Sequence, residues 1–427
     1  MLKKSFFGFL KPWITYTPPS KKPVVPKELP IPAKLTFIID TPYTTTANTL
    51  LKPSAPVKAC EKLRVYPEDA AYAIASAGGN ILTVESFLGP FGRKQTLVTI
   101  KADPAAEMDE TFAQAGAESS AAILTDHLEC LPGNPRFHRL NNSSKPISTV
   151  LIAAADGDVM LDTRAQVVNN RFDAVQEGIH RLRNLTGIED IRIAVPKDFI
   201  HGYGHIGATM HFVDTVYPAA LPNRMVQQVM GVTVPAGKTP EDLGILPISV
   251  EAVAALADSF ASNRPTGRKM LTVIAPDGSR QIVSVIMGTP IGDVLAACGI
   301  PVSEGDRLIS GGPMTGTPLF SLDQPVTPDM DGLLVQAGDE IPSYTDTPCI
   351  NCGDCVRVCP MRIQVNMLIR FLEARQYQEA ADRYDLLSCI DCGLCTFVCV
   401  SRIPISQYIA LGKHELALAH SAEEVHE

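Results

Sequence analysis

Cys349-Ile350-Asn351-Cys352-Gly353-Asp354-Cys355-Val356-Arg357-Val358-Cys359 recurs further along the chain as Cys389-Ile390-Asp391-Cys392-Gly393-Leu394-Cys395-Thr396-Phe397-Val398-Cys399. Both copies read C-x₂-C-x₂-C-x₃-C, and Arg362-Ile363 after the first is echoed by Arg402-Ile403 after the second. Eight of the 11 cysteines lie in these two runs. A secreted disulfide framework spreads its cysteines through a short chain, whereas thiols this close together bind metal. The other three, Cys60, Cys130 and Cys298, read as small core residues. Between the copies, Val365, Leu368, Ile369 and Leu372 fall at i, i+3, i+4 and i+7, one apolar face of a helix.

Three thiolates at this spacing can take three corners of an iron–sulfur cube, while the fourth cysteine of the run ligates the neighbouring cluster. The spacing therefore assigns one [4Fe-4S] cluster to Cys349, Cys352, Cys355 and Cys399. A second [4Fe-4S] cluster falls to Cys389, Cys392, Cys395 and Cys359. Gly353 and Gly393 let the backbone turn close to sulfur, and Ile350 and Ile390 supply apolar cover. Structural zinc asks for four ligands, usually as two separated C-x₂-C pairs, which leaves two complete triads unexplained. The copies also differ. Pro360 follows Cys359 where Val400 follows Cys399, Asp391 replaces Asn351, and the second run has no cation to match Arg357. Extra negative charge opposes the addition of an electron, so the second cluster is expected to have the lower potential.

The remainder of the chain bounds the class. At 427 residues it is long enough for about three domains. Its 45 % apolar and 19 % charged content is that of a globular protein. The net charge of −9, with dispersed Lys and Asp, argues against nucleic-acid binding. The longest neutral runs, such as Ala70–Val84, are broken by glycine and fall short of the ~18 residues of a spanning helix, so no transmembrane segment is expected. The first residues show neither a signal-peptide core nor twin arginines, which places the protein in the cytoplasm.

Residues 1–32 read as an irregular arm with six Lys and seven Pro. Its basic, aromatic start, Lys3 to Trp13, reads as a contact with membrane lipid or a membrane subunit, or as a partly ordered terminus. Residues 33–102 read as β, with strands at Leu35–Ile39, Ile81–Glu85 and Thr96–Lys101. Residues 103–262 alternate: a buried strand at Thr149–Ala154, a helix from Arg164 to Leu185 stopped by Gly187, then strands at Ile191–Val195 and Met210–Val213. That order predicts a parallel α/β sheet. Residues 263–340 read as a small α+β unit, with a hairpin turning at Pro276-Asp277-Gly278-Ser279 and a helix Ile291–Cys298 stopped by Gly299. The cysteine unit covers 341–415, and 416–427 reads as a fraying polar tail.

Further stretches resemble the RnfC-like family, the peripheral iron–sulfur subunits of Rnf-type membrane electron-transfer complexes. Gly311-Gly312-Pro313-Met314-Thr315-Gly316 is similar to that family's Gly-Gly-Pro-Met-x-Gly. Val234-Pro235-Ala236-Gly237 and Asp242-Leu243-Gly244-Ile245-Leu246 are similar to the end of its α/β core. The resemblance implies an N-terminal barrel-sandwich β domain, a Rossmann-like α/β domain, a β-grasp domain of the SLBB type and a C-terminal α-helical two-cluster ferredoxin domain.

The nucleotide elements of that family are altered. Its loop Gly-x-Gly-Gly-Ala-Gly-Phe-Pro corresponds to Gly116-Ala117-Glu118-Ser119-Ser120-Ala121-Ala122, with one glycine left and an anion where a phosphate would lie. Glu-x-Glu-Pro-Tyr corresponds to Asp156-Gly157-Asp158-Val159-Met160. Tyr-Pro-x-Gly-Gly-x-Lys corresponds to Tyr217-Pro218-Ala219-Ala220-Leu221-Pro222-Asn223. FMN and NAD(H) are therefore not expected to bind in the usual way, although Asp156 and Asp158 leave room for a polar ligand. His201, His205 and His211 lie close together, and loop histidines that bond to backbone are commoner than metal ligands.

The resulting expectation is an electron-transfer subunit, peripheral on the inner face of the cell membrane. It would work with the flavin-bearing and integral subunits of an Rnf-like complex and with a protein electron donor or acceptor. No catalytic residue stands out. The alternatives are an NADH- or FMN-dependent oxidoreductase with a remodelled pocket, including the corrinoid-reductase type, and a structural scaffold.

Overall fold

The computed structural model describes residues 14, 23–44, 49–116, 121–197, 206–341 and 347–424. Most of the amino-terminal arm, residues 117–120 of the altered glycine loop, and His201 and His205 lie outside them.

The first β unit follows from alternation. In the strand Lys94–Ala102, Thr96, Val98 and Ile100 point inward and are buried, while their neighbours are less so. This strand lies between Lys34–Ile39 and Gly79–Leu88 in an antiparallel sheet completed by Pro56–Val57. A two-stranded ribbon, Lys62–Leu63 with Ala73–Ile74, covers the same core.

The second unit is a four-stranded parallel sheet in the order Thr209–Val213, Asp190–Pro196, Thr149–Ala153, Ile245–Ser249. Thr149–Ala153 is buried at every residue, as a strand covered on both faces must be. The single helix expected from Arg164 is two helices, Thr163–Asn170 and Phe172–Thr186. They break at Arg171, whose φ of −137° is not helical, directly after Asn169-Asn170, whose short amides compete for backbone hydrogen bonds. Gly187 ends the second helix at φ +68°, as its position predicts.

The third unit is a six-stranded mixed sheet. The hairpin pairs Arg268–Ile274 with Arg280–Ile286, and in its turn Asp277 accepts from the Ser279 N–H at 2.8 Å. An edge strand is supplied from far away: Lys27–Glu28 pairs in parallel with Arg280–Ile286, and Leu29 is buried in the same core. The arm is thus not irregular throughout residues 1–32. Its end completes a distant sheet, which local composition cannot signal.

The last unit is helical. Val365–Glu373 buries the predicted stripe Val365, Leu368, Ile369 and Leu372. The tail expected from 416 instead continues the helix Ile405–Glu424. Its sequence beyond Gly412 is rich in Ala, Leu and Glu, good helix formers, and Leu416 is buried. Gly412 permits the contact, because a Cβ there would lie 2.6 Å from Leu372 Cδ2.

A buried ionic joint ties the second unit to the third. Lys269 Nζ, fully buried, meets the Glu251 carboxylate and stands 3.4 Å from Asp331, which Arg164 Nη2 also reaches at 2.9 Å. The other Glu251 oxygen accepts from the Met270 N–H at 2.7 Å. Among the described residues, no helix is long and apolar enough to cross a membrane.

Candidate metal centre

The two cysteine runs fold alike because their backbones bend at the same places. Asn351 and Asp391 have φ of +55° and +54°, and Gly353 and Gly393 have +76° and +70°. The two glycines cap short helices, Asp354–Val358 and Leu394–Phe397, which carry the third cysteine of each triad. After each run a backbone N–H returns to the fourth sulfur. Ile363 N–H points to Cys359 Sγ and Ile403 N–H to Cys399 Sγ, both at 3.4 Å.

The chain brings Cys359 of the first run together with Cys389, Cys392 and Cys395 of the second. These four line one largely apolar cavity, closed by Pro360, Ile363, Leu368, Leu394 and Ile409. The other four cysteines lie in a more open setting. Cys355 is buried but Cys352 is exposed. Ser401, two residues after Cys399, donates to the Pro348 carbonyl at 3.4 Å, which lays that segment beside the start of the first run. Among the described residues, no three His, Cys, Asp or Glu side chains are arranged to hold a single metal ion.

Burial sets the thiol chemistry. It pushes Cys389 up to about 12 and Cys392 and Cys355 up to about 11, and it raises Cys359 and Cys395 as well. Iron must therefore displace protons to bind, and the sulfurs then leave water as metal-bound thiolates. Four soft sulfur donors around one largely apolar cavity fit an iron–sulfur cluster.

Charge around the two runs differs from the sequence expectation. Lys413 Nζ lies 2.6 Å from Asp391 Oδ2 and 2.7 Å from the Cys389 carbonyl. The added anion is thus matched by a cation from the last helix. In the first run Arg357 is itself paired with Asp354. Each run is locally near neutral, so Asp391 provides no ground for a lower potential.

The second run is seated on the other units. The Tyr217 hydroxyl donates to the Cys392 carbonyl at 2.5 Å. A Cβ on Gly393 would stand 2.5 Å from the Met314 carbonyl. Val159, Tyr217, Leu221, Val358, Cys392 and Leu394 form one apolar cluster. This seat lies at the carboxyl ends of the parallel strands. The chain leaves Thr149–Ala153 toward one neighbour while Ile245–Ser249 flanks it on the other side, a topological switch point where open α/β sheets usually bind ligands.

The two acids of that crevice are engaged with the chain itself. Asp156, pushed up to about 6 by burial, accepts from the Arg164 and Ala165 N–H groups at 2.9 and 3.2 Å at the start of a helix. Asp158 is also raised by burial. It accepts from the Thr315 N–H at 2.7 Å, the Thr315 hydroxyl at 2.6 Å and the Met314 N–H at 3.1 Å. A Cβ on Gly312 would stand 2.5 Å from Asp158 Cγ. Ala220 and Leu221, which replace a glycine pair, are buried in apolar clusters.

Other candidates lie apart. Cys130 donates to the Tyr72 carbonyl, Cys60 to that of Pro265, and Cys298 packs in the six-stranded unit. His211 sits on the strand Thr209–Val213; burial and then Arg192 lower its pKa. Sequence reasoning missed Lys413 and the pairing of Asp158 with Thr315. Neither has a local signal, since Thr315 comes from the third unit and Lys413 lies 22 residues beyond Asp391 on the last helix.

Comparison with known proteins first places the class of the helical unit. Residues 341–400 match the 4Fe-4S dicluster domain. The chain is further similar to the RnfC-type subunits of ion-translocating oxidoreductase complexes. It is 28% identical over 239 residues to the Rhodobacter capsulatus protein of that name, covering 53% of this chain and 46% of that one. It is 30% identical over 252 residues to its counterpart in the proton-translocating ferredoxin:NAD(+) oxidoreductase complex of Clostridium ljungdahlii, covering 57% and 55%. With the counterpart in the sodium-translocating complex of Acetobacterium woodii the values are 26% over 229 residues, 52% and 52%. The chain spans about half the length of the curated relatives it matches. A chain of an NAD+-reducing [NiFe]-hydrogenase overlaps 71% of this chain and 61% of its own at 14% identity and a TM-score of 0.43.

Proposed function

We propose that this chain is an electron-transfer subunit of a membrane-associated Rnf-like complex, relaying single electrons without oxidising NADH itself. The observation that carries the proposal is the convergence of Cys359 with Cys389, Cys392 and Cys395 on one cavity. Cys349, Cys352, Cys355 and Cys399 form the partner set. Bound [4Fe-4S] clusters would supply one-electron redox chemistry at both sets. The chain holds the thiolates, excludes water from the second set and balances charge with Lys413. Ile350 is 65% exposed beside exposed Cys352, so an outside redox partner would reach the first set.

The reading divides the chain as its sequence does: a barrel-sandwich unit at 33–102, an α/β unit at 103–262, a β-grasp unit at 263–340 and a ferredoxin-type unit from 341. Its partners are the flavin-bearing and membrane subunits of such a complex and a protein electron donor or acceptor, met on the inner face of the membrane. The absence of NADH oxidation is supported by the crevice at the switch point. Asp158 there holds the chain's own 311–316 loop, and Leu221 packs toward the second run.

An anaerobic preparation tests this. Dithionite should bleach the visible absorption of the chain, whereas NADH should leave it unchanged and acid should release no flavin. A flavin spectrum with bleaching by NADH would overturn the reading in favour of an NADH-dependent enzyme.

A further inference from the structure

Tyr217 sits in a loop of the parallel-sheet unit, yet its hydroxyl ends on the main chain of the second cysteine run. It is 3% exposed, its ring packs in the cluster with Leu221, Leu394 and Cys392, and its O–H meets the Cys392 carbonyl oxygen at 2.5 Å. The corresponding residue of the first run, Cys352, is exposed to solvent. The two runs share a backbone but differ in what surrounds their second cysteine.

We infer that Tyr217 is a positioning residue that raises the reduction potential of the cluster held by Cys389, Cys392, Cys395 and Cys359. This rests on the proposed electron-transfer role and goes beyond it, giving the α/β unit a function as the seat of one redox centre. The Cys392 carbonyl oxygen carries partial negative charge on the same residue as a sulfur that lines the cavity. Adding an electron increases the negative charge there, so the bare carbonyl opposes reduction. A hydroxyl donating to that oxygen withdraws negative charge and fixes the peptide, and beside a largely apolar cavity the effect is weakly screened. The first set, with Cys352 in water, has no stake in this bond and serves as the internal reference.

Tyr217→Phe keeps the ring and removes the hydroxyl. A mediated redox titration of the full chain, followed by paramagnetic resonance, should resolve two components. In Tyr217→Phe one component moves to lower potential, so that its reduced-to-oxidised ratio at the wild-type midpoint falls about fivefold, the worth of one hydrogen bond. The other component stays in place. Val229→Ala trims a buried side chain in a different apolar cluster of the same unit; it controls for general loosening and should move neither. The inference is overturned if neither component moves in Tyr217→Phe, if both move alike, or if Val229→Ala reproduces the shift. A wild-type chain that takes up no electrons in the titration removes the electron-transfer reading as well, so the two failures are told apart.

Discussion

Cys359→Ala should remove the same paramagnetic component as Cys392→Ala, although Cys359 lies in the other run. Cys399→Ala should pair in the same way with Cys352→Ala. Each single variant should lose about half of the iron and keep the remaining cluster. For Cys359→Ala and Cys392→Ala the cause is the shared cavity, an apolar pocket that offers a cluster no water-accessible substitute ligand; for Cys352→Ala and Cys399→Ala it is the loss of one of four thiolates at a solvent-facing set. If each run held its own cluster, Cys359→Ala would instead track Cys352→Ala. Iron analysis and low-temperature spectra of the four variants decide between these patterns, and pairing within a run would remove the crossed assignment.

Glu251→Ala is expected to be the most destabilising substitution outside the cysteines. It leaves the Lys269 ammonium buried, with Asp331 at 3.4 Å as its remaining carboxylate and that group already shared with Arg164. It also strips the Met270 N–H of its acceptor. Removing one partner of a buried pair costs about 3–5 kcal/mol. The urea midpoint of the chain should fall accordingly. The double variant Glu251→Leu with Lys269→Met should recover much of that loss, because a buried pair replaced by apolar groups is often neutral. A midpoint unchanged in Glu251→Ala would show that the joint contributes nothing to stability.

What the sequence made legible was local or periodic. The cysteine spacing marked the segment that matches the 4Fe-4S dicluster domain, and the i, i+3, i+4, i+7 stripe placed Val365–Glu373. Gly187 and Gly299 marked helix ends because each adopts a left-handed conformation there. What stayed hidden depends on partners distant in sequence. Lys413 has no local signal; the last helix brings it onto Asp391, and that contact removes the argument from Asp391 for a lower potential at the second run. Lys27–Glu28 looked like arm and became a sheet edge. Asp158 looked like the remnant of a nucleotide site, and instead it holds Met314 and Thr315 against the second run. Lys269 sat in an apolar strand with nothing nearby to announce Glu251 or Asp331.

Two crossed sets of four thiolates would make this chain a one-electron conductor. The most direct test is iron and acid-labile sulfide per mole of chain, prepared without air. About eight of each are expected. Zinc in place of iron, or no more than about four irons that rise no further on reconstitution, would contradict it.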